Sequence, residues 1–102
     1  MKIVRVTYTT KPEYVEHNQS NIKKVMADMQ AIGNPGINYT ACLGADGRSF
    51  THTAFFNSDE DEKVLTTLPA FIQFQQELRA NGLEMPPKQE LLTLVGSTVE
   101  IF

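Results

Sequence analysis

Along this chain the spacing of apolar side chains switches between every second residue and every third or fourth residue in a fixed succession, and that succession leaves few folds open. Lys2 to Thr9 (KIVRVTYT) is rich in β-branched residues and reads as a strand. Tyr14, Asn18, Ile22, Val25, Met29 and Ile32 then recur at helical spacing. Thr10 stands ready as a cap, Glu13 as its capping-box partner, and Pro12 is tolerated in the first turn. Gly33-Asn34-Pro35-Gly36 stops this helix. Two alternating segments follow, Ile37 to Leu43 and Arg48 to Phe56, joined by Gly44-Ala45-Asp46-Gly47, whose Asp-Gly pair suits a tight turn. They predict a hairpin.

A second helical pattern starts at Ser58, which can cap, with Asp59, Glu60 and Asp61 in the first turn where the helix dipole favours acids. Pro69 must kink or restart it, after which Phe71, Phe74, Gln75 and Leu78 form a stripe ending at Asn81-Gly82. Pro86-Pro87 marks an extended connector, and Leu91 to Ile101 reads as the last strand. The resulting order is βαββαβ, the ferredoxin-like arrangement of the α+β class: an antiparallel four-stranded sheet with both helices on one face. With 102 residues there is room for one such domain, residues 1–102, and not for two cores.

The sheet's second face sets a further expectation. Ile3, Phe55 and Cys42 on the Thr-rich side of the hairpin, and one side of the last strand, would lie uncovered in a monomer. A second copy of the chain is the simplest cover, so a homodimer is expected.

The residue content narrows the function classes. A formal net charge of −3 is the wrong sign for a domain that grips phosphates, so nucleic acid and anionic membranes are poor partners. Met1 to Arg5 has no hydrophobic stretch behind its basic residues, and no apolar run is long enough to span a bilayer. With a lone cysteine as well, Cys42, the expectation is a cytoplasmic protein.

His52 stands out among residues able to do chemistry, because alternation places it with Phe50, Ala54 and Phe56 on the helix-covered face. A buried imidazole can serve as a general base, although a lone histidine among apolar neighbours is more often a hydrogen-bonded core residue. Tyr14 and Asn18 face inward from the first helix, and with Tyr8, Tyr39, Phe50 and Phe71 they are candidates to line a pocket for a small organic ligand. Asn18 could equally tie helix to sheet. His17, flanked by Glu13 and Asn21 a turn away on either side, lacks a third ligand, so no metal site is expected. Arg5 is expected to pair with a carboxylate such as Glu100, and Cys42 has no sequence neighbour that would activate it. Gly44 to Gly47 lacks the pattern of a phosphate loop, and no cofactor is expected.

The stretch Phe55-Phe56-Asn57-Ser58-Asp59-Glu60-Asp61, continuing to Leu68-Pro69-Ala70-Phe71-Ile72-Gln73-Phe74, resembles the dimeric α+β barrel proteins typified by antibiotic-biosynthesis monooxygenases. The resemblance covers nearly the whole chain in element order and implies two ferredoxin-like sheets meeting face to face, with a pocket in each subunit between sheet and helices. It includes cofactor-independent oxygenases, haem-degrading enzymes and isomerases. Haem-degrading members carry a tryptophan near the pocket and a histidine on the second helix, whereas this chain has no Trp and no histidine after His52. The oxygenases share no motif that assigns a catalytic residue here. The implied function is a monooxygenase-like enzyme on a small organic substrate, working without a cofactor, with a non-catalytic ligand-binding or structural dimer as the alternative. An RNA-recognition module shares the element order, and Arg48 to Phe55 faintly echoes its third-strand motif. That module needs Phe50 and His52 on the open face, opposite to the side expected here.

Overall fold

The computed structural model describes all 102 residues. Four strands, β1 (Lys2–Thr9), β2 (Ile37–Leu43), β3 (Ser49–Phe56) and β4 (Lys88–Leu92), form one antiparallel sheet in the order β2-β3-β1-β4. Helix α1 (Val15–Ile32) connects β1 to β2, and α2 (Asp59–Thr66) and α3 (Pro69–Glu77) connect β3 to β4. The ferredoxin-like plan is therefore present, with Pro69 starting a separate helix as the first residue of α3. No helix is long and apolar enough to cross a membrane.

Strand alternation sorts the sheet residues as the sequence pattern requires. Val4, Val6 and Tyr8 of β1 stand level with Ala54, His52 and Phe50 of β3, and Ile37, Tyr39 and Ala41 of β2 continue the same face. On this face the helices deposit Tyr14, Ile22, Val25, Leu65, Phe74 and Leu78, making one buried cluster with Tyr8, Phe50 and Phe56. Burying each large apolar side chain contributes about 1.5–3 kcal/mol, so this cluster holds the helices on the sheet. With Phe50 and His52 both buried beneath the helices, the open-face geometry of an RNA-recognition sheet is absent.

Local chemistry sets the element ends. Gly33 closes α1 in the left-handed conformation (φ 66°), its N–H donating to Met29. In the hairpin Asp46 accepts from the N–H groups of Arg48 and Ser49, and Gly47 takes φ 77°. Ser58 caps α2 by accepting from the Asp61 N–H at 3.2 Å.

The expectations for Thr10, Ile32 and the last strand need correction. Thr10 does not cap the first helix: it is buried, bridges Leu83, and its hydroxyl reaches the Arg48 carbonyl at 3.5 Å, while a 3-10 turn (Pro12–Tyr14) leads into α1. Ile32, the last residue of α1 and of its stripe, is exposed and not part of the core. The last strand spans Lys88–Leu92, not Leu91 to Ile101. The reason is register: Leu92 already stands opposite Ile3, so a longer β4 would run off the beginning of β1 with only Lys2 and Met1 left to pair. Residues 93–102 accordingly form no regular structure, and Val95 and Val99 are exposed.

The outer sheet face is more polar than anticipated. Arg5, Thr7, Thr51, Thr53, Thr40 and Glu90 occupy its middle, and a single apolar row, Leu92–Ile3–Phe55, crosses one end; contrary to expectation Ile3 is buried and Phe55 half-buried within the single chain, and only Leu92 of the three is exposed. Arg5 pairs with Glu90 (4.0 Å), its cross-strand neighbour, and not with exposed Glu100. Cys42 is exposed on the edge strand β2.

After α3 the chain widens into a π-turn (Leu78–Gly82) that docks on the start of the helical layer, where the Lys11 N–H donates to the Gly82 carbonyl at 2.8 Å. A Cβ on Gly82 would collide with the ring of Tyr14, which lies flat against it. Gly82→Ala is therefore expected to cost roughly 1–3 kcal/mol in urea unfolding through overpacking. Gly96→Ala, in open space, should leave the midpoint unchanged; equal effects of the two would contradict this packing.

Candidate functional site

Register on the inner sheet face assembles the site. His52 stands between Val6 of β1 and Ala41 of β2. Two residues farther along each neighbouring strand, on the same face and from opposite ends, come Tyr8 and Tyr39. Such diagonal neighbours are within reach of long aromatic side chains. Tyr8 Oη lies 2.7 Å from Nε2 of His52, and Tyr39 Oη lies 2.6 Å from Nδ1. Asn18, fully buried on α1, donates from Nδ2 to Tyr8 Oη at 2.9 Å. Phe74 stacks on the imidazole with ring centres 5.5 Å apart, Phe50 stacks on Tyr8, and Phe71 packs edge-on against Tyr39.

These surroundings fix the charge states. Burial pushes the His52 pKa down from 6.5 to about 4, so the imidazole is neutral at pH 7. Burial likewise pushes the phenols of Tyr8 and Tyr39 well above the ordinary tyrosine range, so both keep their protons. A neutral imidazole carries a single N–H. The set of Tyr8, His52 and Tyr39 thus holds three hydrogens for two contacts, and one hydroxyl hydrogen is always left over. Since both tyrosines border a cavity, that hydrogen is available to a bound molecule.

The cavity has a volume of about 250 Å³ and lies between the sheet and the layer of α2, α3 and the π-turn. Its buried floor is Tyr8, His52, Ala54, Phe56, Leu65, Phe74 and Leu78. Its exposed mouth carries Thr66, Arg79, Pro87 and Gln89. Mostly apolar walls with a few converging polar groups are the usual construction of a small-molecule site.

Of the residues singled out by sequence, His52, Tyr8, Tyr39 and Phe71 border this cavity. Asn18, Tyr14 and Phe50 do not. Asn18 stands behind Tyr8 and orients it. Tyr14 is turned toward His17 and Gly82. Phe50 buttresses Tyr8 and opens on a separate groove between α1 and β2. His17 bonds Glu77 at 2.7 Å and is approached by Asn21 at 3.3 Å, which makes it a clasp between α1 and α3. Sequence reasoning missed Gln75 and Arg79, which also border the cavity. The signal was available: Phe71, Gln75 and Arg79 recur every four residues and so share a helix face.

No protein-family model matches the sequence. No curated protein matches it either. Solved structures do share its fold. A protein of Nitrosomonas europaea, provisionally described as an antibiotic biosynthesis monooxygenase, superposes with a TM-score of 0.77 at 14% identity, covering 94% of this chain and 100% of that one. A Deinococcus radiodurans protein of the same description gives 0.70 at 19% identity, with 100% and 99% covered. SnoaB, a cofactor-independent oxygenase from Streptomyces nogalater, gives 0.69 at 18% identity, with 97% and 98% covered. The likeness is one of fold: the chain is built on the ferredoxin-like plan of the antibiotic biosynthesis monooxygenase domain proteins, as its resemblance to them implied.

The depressed His52 pKa has a consequence for stability. Between pH 6.5 and 4 the unfolded chain binds a proton at His52 that the folded chain refuses, so stability falls as pH falls through this window. The loss is roughly 3 kcal/mol at its acid end. Asp46, Asp61 and Glu77 have lowered pKa values and also cost stability as pH falls, but toward the acid end of the window, around their ordinary carboxylate values, and equally with or without His52. Urea unfolding between pH 6.5 and 4.5 should therefore show the His52 slope in the natural protein and lose it in His52→Gln; an identical slope in both would contradict the buried neutral imidazole.

Proposed function

We propose that this protein takes up a small, mostly apolar organic molecule in the cavity between sheet and helices and acts on it as a cofactor-independent, oxygenase-like enzyme. The observation that carries this reading is His52, held uncharged at the cavity floor with a tyrosine hydroxyl on each ring nitrogen. SnoaB, a protein of the same fold, is a cofactor-independent oxygenase, and that supports the reaction class.

The chemistry follows from how the set can hold a proton. Both His52 nitrogens are occupied, so a ligand meets the imidazole through a tyrosine hydroxyl and not directly. In one arrangement Tyr39 donates to Nδ1, Nε2–H donates to Tyr8, and the Tyr39 oxygen can receive a proton from the ligand. Passing that proton on produces an imidazolium whose two N–H groups both keep an acceptor, Tyr39 on one side and Tyr8 on the other. What opposes the charge is burial alone, and an anion formed beside it in the cavity offsets that penalty. The deprotonated ligand is an electron-rich enolate or phenolate, able to give electrons to dioxygen, which is how an oxygenase works without a metal or flavin. His52 acts in this scheme as a base relayed by Tyr39.

A non-catalytic binding protein is the second reading, and the saturation of both His52 nitrogens favours it, since a finished hydrogen-bond set also describes a well-satisfied core. For the assembly we infer a homodimer that covers the exposed apolar residues of β4 and the segment after it, Leu91, Leu92, Val95 and Val99.

Oxygen uptake on a panel of hydroquinones and other acidic aromatic compounds decides between the two readings. The enzyme reading expects His52→Gln and Tyr39→Phe each to lower kcat by about 100-fold or more while ligand affinity changes by only a few fold. Unchanged turnover in both variants, or the absence of uptake alongside tight binding, would leave the binding reading standing.

A further inference from the structure

Arg79 is the only cationic side chain bordering the cavity. It lies in the π-turn at the mouth, and it takes part in no ion pair and no side-chain hydrogen bond. The carboxylate bordering the same cavity, Glu62, is engaged by Lys2 at 3.0 Å. Glu77, two residues before Arg79, is engaged by His17. The neighbouring polar groups on the cavity wall, Gln75 and Gln89, are neutral amides that can donate. An arginine fork without a carboxylate partner, on a cavity whose wall also carries two amides, suits an organic acid.

The floor makes this position selective. Its polar groups are uncharged at neutral pH, and a carboxylate driven down to it would lose its hydration with no cation to replace it. At the mouth the same carboxylate stays in contact with water and meets a positive charge. A ligand with an acid at one end and an aromatic body is therefore oriented, with its acid outward and its opposite end at the Tyr39 hydroxyl.

We propose that Arg79 is a binding residue for the acid group of the ligand, and that the molecule taken up is an organic carboxylate with an apolar body and an oxygen function at its far end. This rests on the small-molecule reading of the cavity. A hydroxynaphthoate and the amide of the same skeleton are suitable probes, since they differ only in charge at one end. Measured by calorimetry at low ionic strength, the natural protein should bind the acid about five- to tenfold tighter than the amide. Added salt should shrink this preference, because the mouth is exposed. Arg79→Gln should bring the two affinities together by weakening the acid and leaving the amide unchanged, which also reports that the cavity is intact. An acid-to-amide ratio near one in the natural protein, or a ratio that Arg79→Gln does not alter, overturns the assignment of Arg79 while the cavity reading stands. If neither probe binds to the natural protein, the cavity reading fails and this inference with it.

Discussion

The site depends on keeping one imidazole uncharged inside an apolar layer. A histidine at the centre of a sheet face would ordinarily be a liability, because protonation below its usual pKa would place a charge among phenylalanines. Here two tyrosine hydroxyls meet its two nitrogens and Phe74 covers its ring, so the neutral form is both satisfied and shielded. The same arrangement fixes the orientation of the tyrosines. Tyr8 is held from behind by Asn18, and Tyr39 is backed by Phe71, so both hydroxyl oxygens are held at the cavity's edge.

The break in the helical connection after β3 shapes the rest. Pro69 divides the connection, α3 turns Phe71 and Phe74 onto the tyrosine–histidine set, and the π-turn then swings Arg79 to the opening. The π-turn is fixed in place by Gly82, whose missing side chain lets the Tyr14 ring close over it, and by the bond from Lys11. An interaction at the start of the chain thus positions a charge at the cavity mouth.

Much of this was legible in the residues. Strand alternation placed His52, Phe50 and Phe56 under the helices, and the Asp46-Gly47 turn, the Ser58 cap and the Pro69 restart all stand where the local chemistry puts them. What could not be read was register. That Tyr8 and Tyr39 meet His52 from opposite ends follows from which residue faces which across three strands, and no local pattern encodes that. Asn18 and Tyr14 share a helical spacing in the sequence, yet Tyr14 lies in the 3-10 turn before α1 and packs against His17 and Gly82, whereas Asn18, inside α1, meets Tyr8. The length of β4 failed for a related reason: apolar alternation continues past Leu92, but β1 has nothing left to pair with it. Arg79 was not legible from the apolar stripe, which ends at Leu78, one residue before the polar position that reaches the cavity mouth.

The most direct test is NMR titration of the histidine ring nitrogens, with the His52 resonances identified by their absence in His52→Gln. The account predicts a neutral His52 ring throughout the physiological range, protonating only near pH 4, with both nitrogens shifted as hydrogen-bonded partners. A ring that titrates near 6.5, as an exposed histidine does, would contradict it, and with it the buried tyrosine–histidine–tyrosine set on which the proposed chemistry rests.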